Sequence, residues 1–243
     1  MCSVTWIRDD AGLHVFMNRD ERRSRAPERP PRVFSRDGVR RIAPEDGAAG
    51  GTWIAANEHG LVVLLVNGYL RDDAERTDEP RSRGRLVDEM AAARSSLELA
   101  TALRASDLRP YRSFRMLALH PEDEGCVATW DAHTLDVVDG ADAHCPLLSS
   151  SHASSAVAAA RLSTWHECLA ERGRDVGLLE RYHASHARGP SAFSVCMHRD
   201  DAETRSFVRV RVDARTVWLT WSPGSPCRAL PSTECELPRV AAP

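Results

Sequence analysis

The 243-residue sequence contains no Lys and no Gln, and its only Asn residues are Asn18, Asn57 and Asn67. All 32 basic residues are therefore Arg. Since the composition is biased against Lys, Gln and Asn, we expect each remaining Asn to have a role that Asp or Ser cannot fill. An amide side chain both donates and accepts hydrogen bonds. All three lie in the first 70 residues.

Long apolar runs are also missing from the sequence. No run approaches the roughly 20 residues that a membrane-spanning helix needs. A secretory signal would place its apolar segment where Asp9, Asp10, Arg19 and Asp20 lie. We therefore expect a cytoplasmic protein without a membrane span.

No regular cysteine framework is present. The seven Cys are odd in number, irregularly spaced and without a C-x-x-C pair, at positions 2, 126, 145, 168, 196, 227 and 235. This pattern favours a reducing compartment with mostly free thiols. His144 with Cys145, and Cys196 with His198, are the candidate metal or haem ligands. Zinc needs about four convergent ligands, and no closely spaced pair indicates them, so we predict no metal site.

An excess of positive charge is absent as well. The formal net charge is −3, with 42% hydrophobic and 28% charged residues, which is ordinary for a globular protein. Since the Arg residues are spread along the chain, nothing indicates a nucleic-acid partner or an anionic membrane surface. The oligomeric state is left open.

The stretch from Met1 to Glu21 has the pattern of a β-hairpin. Two apolar runs, 3–7 and 13–17, flank Arg8-Asp9-Asp10-Ala11-Gly12, which has the composition of a turn. We expect the hairpin to bring residue 18 back beside residue 2. Cys2 would then lie close to the polar cluster Asn18-Arg19-Asp20-Glu21.

The rest of the chain alternates between blocks of short strands and pairs of helices. Residues 61–66 are apolar without alternation, so we expect a strand that is buried on both faces. Helical spacing occurs over 82–94, 96–103, 154–171 and 176–185. The pattern predicts an α+β fold, a four-layer αββα sandwich of two mainly antiparallel sheets flanked by helix pairs. We predict one domain over residues 1–221 and an irregular Pro-rich tail over 222–243.

The chemistry at the front of the chain is that of a cysteine nucleophile. If Met1 is removed, Cys2 carries a free α-amino group with a pKa of about 7.7–8, which can act as base for its own thiol. Arg19 would favour the thiolate, and Asp20 could hold the ammonium or the Arg. Asn67 is a candidate oxyanion donor, and Gly68 beside it would allow close approach of a substrate.

Short motifs in the first 90 residues carry a resemblance to a known family. They are Asn18-Arg19-Asp20-Glu21 behind Met1-Cys2, Arg29-Pro30-Pro31, Ala43-Pro44 with Asp46, Gly50-Gly51-Thr52-Trp53, Asn57 with Gly60-Leu61, Asn67, and Ser82-Arg83-Gly84 with Leu86-Val87. In this combination the sequence resembles the NRDE family, to which the Transport and Golgi organisation 2 proteins belong. The resemblance implies an N-terminal-nucleophile hydrolase-like fold. It also implies a likeness to bile-salt hydrolases and penicillin V acylases, which use a Cys exposed by Met removal and an oxyanion Asn that matches Asn67.

The resemblance leaves two functions open. The first is a Cys-dependent amidohydrolase or acyltransferase that acts on a small-molecule or peptide amide and requires no cofactor. Asn18, Glu21 and Asn57 are then candidates for substrate binding or orientation, as are Gly68, Ser149 and Ser150. Relatives read Leu-Ser-Asn-Ser where this chain reads Leu148-Ser149-Ser150-Ser151, and the late catalytic Arg of the acylase group has no match. The alternative is a non-catalytic protein that binds haem or another hydrophobic metabolite.

Overall fold

In the computed structural model, the described residues 2–69, 80–228 and 230–240 form two antiparallel β-sheets and two pairs of α-helices. The strands are β1 (Cys2–Asp9), β2 (Gly12–Arg22), β3 (Arg29–Arg36), β4 (Val39–Glu45), β5 (Ile54–Asn57), β6 (Val62–Asn67), β7 (Phe114–Leu119), β8 (Cys126–Trp130), β9 (Leu135–Asp139), β10 (Leu147–Ser149), β11 (Ala202–Val212), β12 (Thr216–Pro223) and β13 (Thr233–Pro238). The helices are α1 (Arg83–Met90), α2 (Ser96–Ala105), α3 (Ser154–Arg172) and α4 (Val176–His183).

The layers follow the predicted order. One sheet has six strands in the order β10-β1-β2-β11-β12-β13, and the other has seven in the order β3 to β9. A continuous apolar core lies between the two sheets. The helices α1 and α2 cover the outer face of the seven-stranded sheet, and α3 and α4 cover the outer face of the six-stranded sheet. The α+β, four-layer αββα prediction is therefore confirmed. No helix in the described part of the chain is long and apolar enough to cross a membrane.

The first hairpin forms, but its register differs from the expected one by a single residue. Cys2 pairs with Arg19, and Ser3 pairs with Asn18. Since residues that lie opposite each other point to the same face of a sheet, a shift of one residue moves a side chain to the other face. Cys2 and Arg19 face the space between the sheets, whereas Ser3 and Asn18 face the helices.

Strand β6 is buried on both faces, as its composition predicts. Val62, Leu64 and Val66 pack into the core between the sheets. Val63 and Leu65 pack against α1 in the outer core. The strand ends at Asn67, so a strand that is buried on both faces carries a candidate site residue at its end.

The prediction of an irregular tail over 222–243 is wrong for its central part. The whole of strand β13 pairs with residues 216–221 of β12 and forms the edge of the six-stranded sheet. Its apolar residues Cys235 and Leu237 contact the core, and Glu234 and Glu236 between them are exposed. This period-2 pattern is short and bracketed by prolines, which an edge strand tolerates better than a central strand does.

Candidate functional site

A cleft of about 870 Å³ opens where β1 begins and β6 ends. Cys2, Arg19, Asp20, Glu21 and Asn67 all line it. The fold therefore brings together the four predicted catalytic side chains and one of the predicted orienting residues, although Cys2 and Asn67 lie in different sheets. The hairpin places Cys2, Arg19 and Asp20 beside each other, and Asn67 lies at the end of β6.

The Cys2 thiol lies at the start of β1, between its neighbours in β2 and β10. Its Cα pairs with those of Arg19 and Ser149. Burial raises the pKa of the Cys2 thiol, and the Asp20 carboxylate adds to the rise. The Arg19 guanidinium and the backbone N–H of Asp20, which donates to the sulfur, lower the pKa without outweighing burial. The thiol therefore needs a base to become a nucleophile.

Asp20 is held from the helix side of the sheet. One of its carboxylate oxygens accepts a hydrogen bond from Thr204 Oγ1 at 2.7 Å, and the other accepts one from Arg161 Nη1 at 3.0 Å. Neither the Asp20 nor the Arg161 side chain is exposed. Arg161 Nη1 also donates to Ser3 Oγ at 2.7 Å, so this Arg of α3 joins both strands of the hairpin.

Arg19 is held on the cleft side of the same strand. Its guanidinium donates to Glu28 and to Asp46, each at 2.5 Å, and lies 4.5 Å from the centre of the Trp53 ring. Glu21 lies 3.7 Å away. Such a fork of hydrogen bonds fixes the orientation of a guanidinium. Arg19 is thus a charged side chain of fixed orientation in the wall of the cleft.

Asp46 anchors a second cation beside Arg19. Arg25 donates to both of its carboxylate oxygens at 2.9 Å, and the backbone N–H groups of Ala48 and Ala49 donate to Oδ1. Burial by itself would raise the pKa of Asp46. The hydrogen bonds from Arg25 and Ala49, together with the charges of Arg19 and Arg25, outweigh burial and hold the pKa below its usual value.

The lining of the cleft is rich in positive charge. Among the described residues, seven Arg and four Asp or Glu residues contribute to it: Arg19, Arg22, Arg25, Arg81, Arg83, Arg112 and Arg199, with Asp20, Glu21, Asp46 and Asp201. A concave surface with an excess of one sign concentrates ligands of the opposite sign. The electrostatics therefore favour a ligand that carries an anionic group.

Asn67 presents its amide to the cleft with one donor already engaged. Its Nδ2 donates to the Tyr69 hydroxyl at 3.0 Å. Tyr69 adopts a φ of 54°, a conformation that residues other than Gly rarely adopt. An amide NH2 has two N–H groups, so Tyr69 orients the side chain while the second N–H has no acceptor among the residues that the structure describes.

Gly68 does not have the predicted role. A Cβ at this position would lie 2.4 Å from Ser113 Oγ, and the Gly68 N–H donates to the Ser113 carbonyl. Gly68 is therefore needed for close packing against the chain before β7, and not for the approach of a substrate. This corrects the sequence-based interpretation.

The other two asparagines lie outside the cleft, which corrects their prediction as orienting residues. Asn18 is fully buried, and its Nδ2 donates to the carbonyls of His183 and Val195 on the helix side. Asn57 is also fully buried. Its amide donates to the carbonyls of Ala91 and Ala93, and its Oδ1 accepts two backbone N–H groups of the following turn.

The serine run has a divided role. Ser149 lies opposite Cys2, and its Oγ is buried without a hydrogen-bond partner among the described residues. Ser150 Oγ accepts from the His152 N–H and donates to the His152 carbonyl, which closes the turn before α3. Ser151 and His152 line the cleft, whereas Ser149 and Ser150 do not. Ser150 is thus corrected to a turn residue.

Sequence reasoning missed the residues that hold the predicted ones in place. Arg161 lies on a helix of ordinary amphipathic spacing, and Glu28 lies in an Arg- and Pro-rich loop. Asp46 was noted only as part of a family motif. One signal was present: Arg161 is a charged residue on the apolar face of α3, among Val157 and Trp165, which are buried.

A second cluster of reactive side chains lies in the segments that follow α4. His186, Cys196, His198 and Cys227 place one ligand atom each within 4.8 Å of one another. The prediction of no metal site assumed that metal ligands would be closely spaced along the sequence. Three separate segments supply these four side chains, so their convergence does not show in the spacing of the sequence.

Comparisons with known proteins agree with this architecture. The family model described as Transport and Golgi organisation 2 matches residues 1–168. No curated protein sequence matches the chain. Among solved structures, penicillin V acylase from Agrobacterium tumefaciens has a TM-score of 0.57 at 10% identity, over 98% of this chain and 86% of that chain. A mutant of the conjugated bile acid hydrolase from Clostridium perfringens has a TM-score of 0.58 at 10% identity, over 98% and 92%.

A third structure extends the comparison. The Caenorhabditis elegans orthologue of N-acylethanolamine-hydrolysing acid amidase has a TM-score of 0.60 at 12% identity, over 87% of this chain and 92% of that chain. At such identities the similarity shows the fold alone. The N-terminal-nucleophile hydrolase-like fold predicted from the sequence is confirmed.

Proposed function

The chain belongs to the Transport and Golgi organisation 2 family, and from this membership and the geometry of the cleft we propose that it is a cysteine N-terminal-nucleophile amidohydrolase or acyltransferase. Its substrate would be a small-molecule or peptide amide that carries an anionic group. The observation that carries the proposal is the convergence of Cys2, Asn67 and Arg19 on one cleft.

The first step is attack by the Cys2 sulfur on the amide carbonyl carbon. Removal of Met1 would leave the α-amine of Cys2 as the nearest base, and its ordinary pKa of about 7.7–8 suits proton transfer at neutral pH. The amine takes the thiol proton and later returns it to the leaving amine. The product is a thioester on Cys2, which water or a second amine then cleaves.

The developing oxyanion needs donors that are oriented before the reaction. Asn67 meets this need, because Tyr69 fixes its amide and leaves one N–H group for the oxyanion. Ser149 is our candidate for a second polar contact, since its Oγ is buried opposite Cys2 and has no partner among the described residues. It would stand in for the second amide that the sequence lacks.

Asp20 and Arg19 have separate roles in this proposal. Asp20 is positioned by Thr204 and Arg161 and can accept a hydrogen bond from the ammonium of Cys2. Arg19, which Glu21 helps to orient from 3.7 Å, would bind the anionic part of the substrate together with the other arginines around the cleft. The hydrolytic step therefore uses groups on one hairpin and one strand end.

The test is hydrolysis of a panel of fluorogenic N-acyl amides, with and without a carboxylate in the acyl part. We expect activity in the native protein and none in Cys2→Ala. Cys168→Ala, which removes a thiol on α3, should keep full activity. A bulky residue inserted between Met1 and Cys2, which blocks Met removal, should also abolish the activity. Hydrolysis that survives in Cys2→Ala would contradict the proposal.

The second candidate is binding of haem or another anionic hydrophobic metabolite without chemistry. It is favoured by the same arginine-rich cleft and by the raised pKa of the Cys2 thiol. Titration with haem, followed by absorbance, tests it directly. Spectral saturation that Cys2→Ser leaves intact, together with no amide hydrolysis, would favour binding. No spectral change at micromolar haem would exclude haem as the ligand.

A further inference from the structure

The cluster of His186, Cys196, His198 and Cys227 is built from three separate segments of the chain. His186 follows α4, Cys196 and His198 lie in the segment before β11, and Cys227 lies in the short 3-10 helix Pro226–Arg228. The segment before β11 is fixed by its backbone, since the Cys196 N–H donates to the Ser185 carbonyl and the Thr204 N–H donates to the Met197 carbonyl. The four ligand atoms lie within 4.8 Å of one another.

The distances within the cluster match those of a tetrahedral zinc site. Bonds of about 2.3 Å to sulfur and 2.0–2.1 Å to nitrogen would separate a sulfur from a nitrogen ligand by about 3.6 Å. Cys196 Sγ lies 3.6 Å from His198 Nε2, and Cys227 Sγ lies 3.5 Å from the same nitrogen. The His186 and His198 ring centres are 5.0 Å apart.

Hydrogen bonds alone do not account for this arrangement. A neutral imidazole nitrogen has one lone pair, yet two thiol sulfurs converge on His198 Nε2. In addition, His186 Nε2 is buried without a hydrogen-bond partner among the described residues. A buried polar atom of this kind is rare in native proteins and indicates an ion or a water molecule as its partner.

We propose that His186, Cys196, His198 and Cys227 form a structural zinc site. Two thiolates and two neutral imidazoles are a common donor set for closed, tetrahedral zinc. Binding of one Zn²⁺ would release one proton from each thiol, so the ligand set and the ion together carry no net charge. None of the four residues lines the cleft, and the site holds no position for a substrate because all four places of the tetrahedron are taken.

Zinc at this position would stabilise one wall of the cleft. The segment that carries Cys196 and His198 also places Met197, Arg199 and Asp201 in the lining. Through Thr204, which accepts a hydrogen bond from the Met197 N–H and donates to Asp20, the same segment supports the Asp20 carboxylate. The metal would therefore act as a positioning element for the cleft, in contact with neither substrate nor Cys2.

The test uses the reduced full-length chain and zinc alone. After incubation with micromolar zinc and desalting, elemental analysis should find one zinc per chain. Cys227→Ser should weaken zinc binding by about 100-fold or more, since it removes one of four ligands. Cys227 is exposed, so the variant should fold. Cys168→Ser, a matched loss of a thiol elsewhere, should bind zinc as the unchanged chain does.

Cobalt substitution supplies a second measurement that does not depend on activity. Co²⁺ should give thiolate-to-cobalt charge-transfer bands and the intense visible bands of tetrahedral coordination, and Cys227→Ser should lose one thiolate contribution. Zinc should also raise the melting temperature of the unchanged chain, and not that of the variant. A reduced chain that takes up no zinc, or a Cys227→Ser variant that retains it at full affinity, would overturn the proposal. So would a native Cys196–Cys227 disulfide that, once reduced, yields no metal binding.

Discussion

Asn57 and Asn67 end the neighbouring strands β5 and β6, yet they lie in opposite environments. The strands are antiparallel, so the two residues lie at opposite ends of the sheet. Asn57 is sealed, and its amide makes four hydrogen bonds to the backbone. Asn67 lies at the open end and lines the cleft, and within the described part of the chain its side chain makes one hydrogen bond, to Tyr69. One amide holds the fold, and the other is available to a ligand.

The same division separates the two faces of β2. On the helix side, Asp20 and Arg161 form an ion pair with no exposure at all. On the cleft side, Arg19 is held by Glu28 and Asp46 but borders the opening. Removing the partner of a buried polar group lowers the stability of the protein. A polar group that borders the cleft can instead bind a ligand. The predictions below test this division, from the largest expected effect to the smallest.

The largest loss of stability should follow removal of Arg161. Arg161→Met leaves the Asp20 carboxylate buried without its cation, which should lower the free energy of unfolding by about 3–5 kcal/mol. Urea unfolding measures it. The double variant Arg161→Met with Asp20→Asn should recover part of the loss, because the buried charge is gone. A loss in the single variant below about 1 kcal/mol would mean that the pair is not sealed.

Asn67→Ala should lower the rate of reaction at Cys2 while leaving stability nearly unchanged. Loss of one preorganised oxyanion donor costs about 10²–10³ in rate. The acylation rate of Cys2 by an amide substrate, measured alongside urea unfolding, gives both quantities. Tyr69→Phe, which frees the amide to rotate, should cost less than Asn67→Ala. An Asn67→Ala variant with full rate would remove Asn67 from the site.

Asn57→Ala should show the reverse behaviour. It leaves two backbone carbonyls and two N–H groups without their partner, so we expect a loss of about 2–4 kcal/mol in the free energy of unfolding. The folded protein should react at Cys2 at the normal rate. A stable Asn57→Ala variant with slowed chemistry would invert the comparison between the two asparagines.

Acid stability should depend on another sealed group, His183. Burial, with the Arg161 charge, lowers the pKa of His183 from 6.5 to about 3. The unfolded chain therefore binds a proton that the folded chain does not, so the stabilisation is present above pH 6.5 and is lost as the pH falls towards 3. The expected slope is about 1.4 kcal/mol per pH unit within that window.

His183→Gln should remove that slope from urea unfolding measured between these pH values. The exposed His166 on α3 supplies the matched control, since His166→Gln should leave the slope unchanged. Equal slopes in His183→Gln and in the unchanged chain would show that His183 is protonated in the folded state.

The sequence was sufficient for the layers of the fold and for part of the site. Periodicity indicated the doubly buried β6 and the helix pairs, and the β-hairpin placed Cys2 near Arg19 and Asp20. The sequence did not determine the register of the β1–β2 hairpin. The composition of the turn does not show whether Cys2 lies opposite residue 18 or opposite residue 19. That single residue decides that Arg19 faces the cleft and that Asn18 does not.

Contacts between distant segments could not be predicted from one sequence. Nothing local to Arg161 indicates that it pairs with Asp20, 141 positions earlier. The scarcity of Asn pointed to three residues, but hydrogen-bond partners supplied by other strands and helices decide that Asn67 alone of the three lines the cleft. Likewise, the ligand atoms of Cys227, His186 and Cys196 lie within 4.8 Å of one another, although these residues come from separate segments of the chain.

The most direct test of the account is the mass of the N-terminal peptide after the native protein has reacted with an amide substrate or an electrophilic acyl analogue. The account predicts a peptide that begins at Cys2, without Met1, and carries one acyl group on the Cys2 sulfur, with the exposed Cys227 unmodified at the same time point. A peptide that retains Met1, or one in which Cys2 reacts no faster than Cys227, would contradict it.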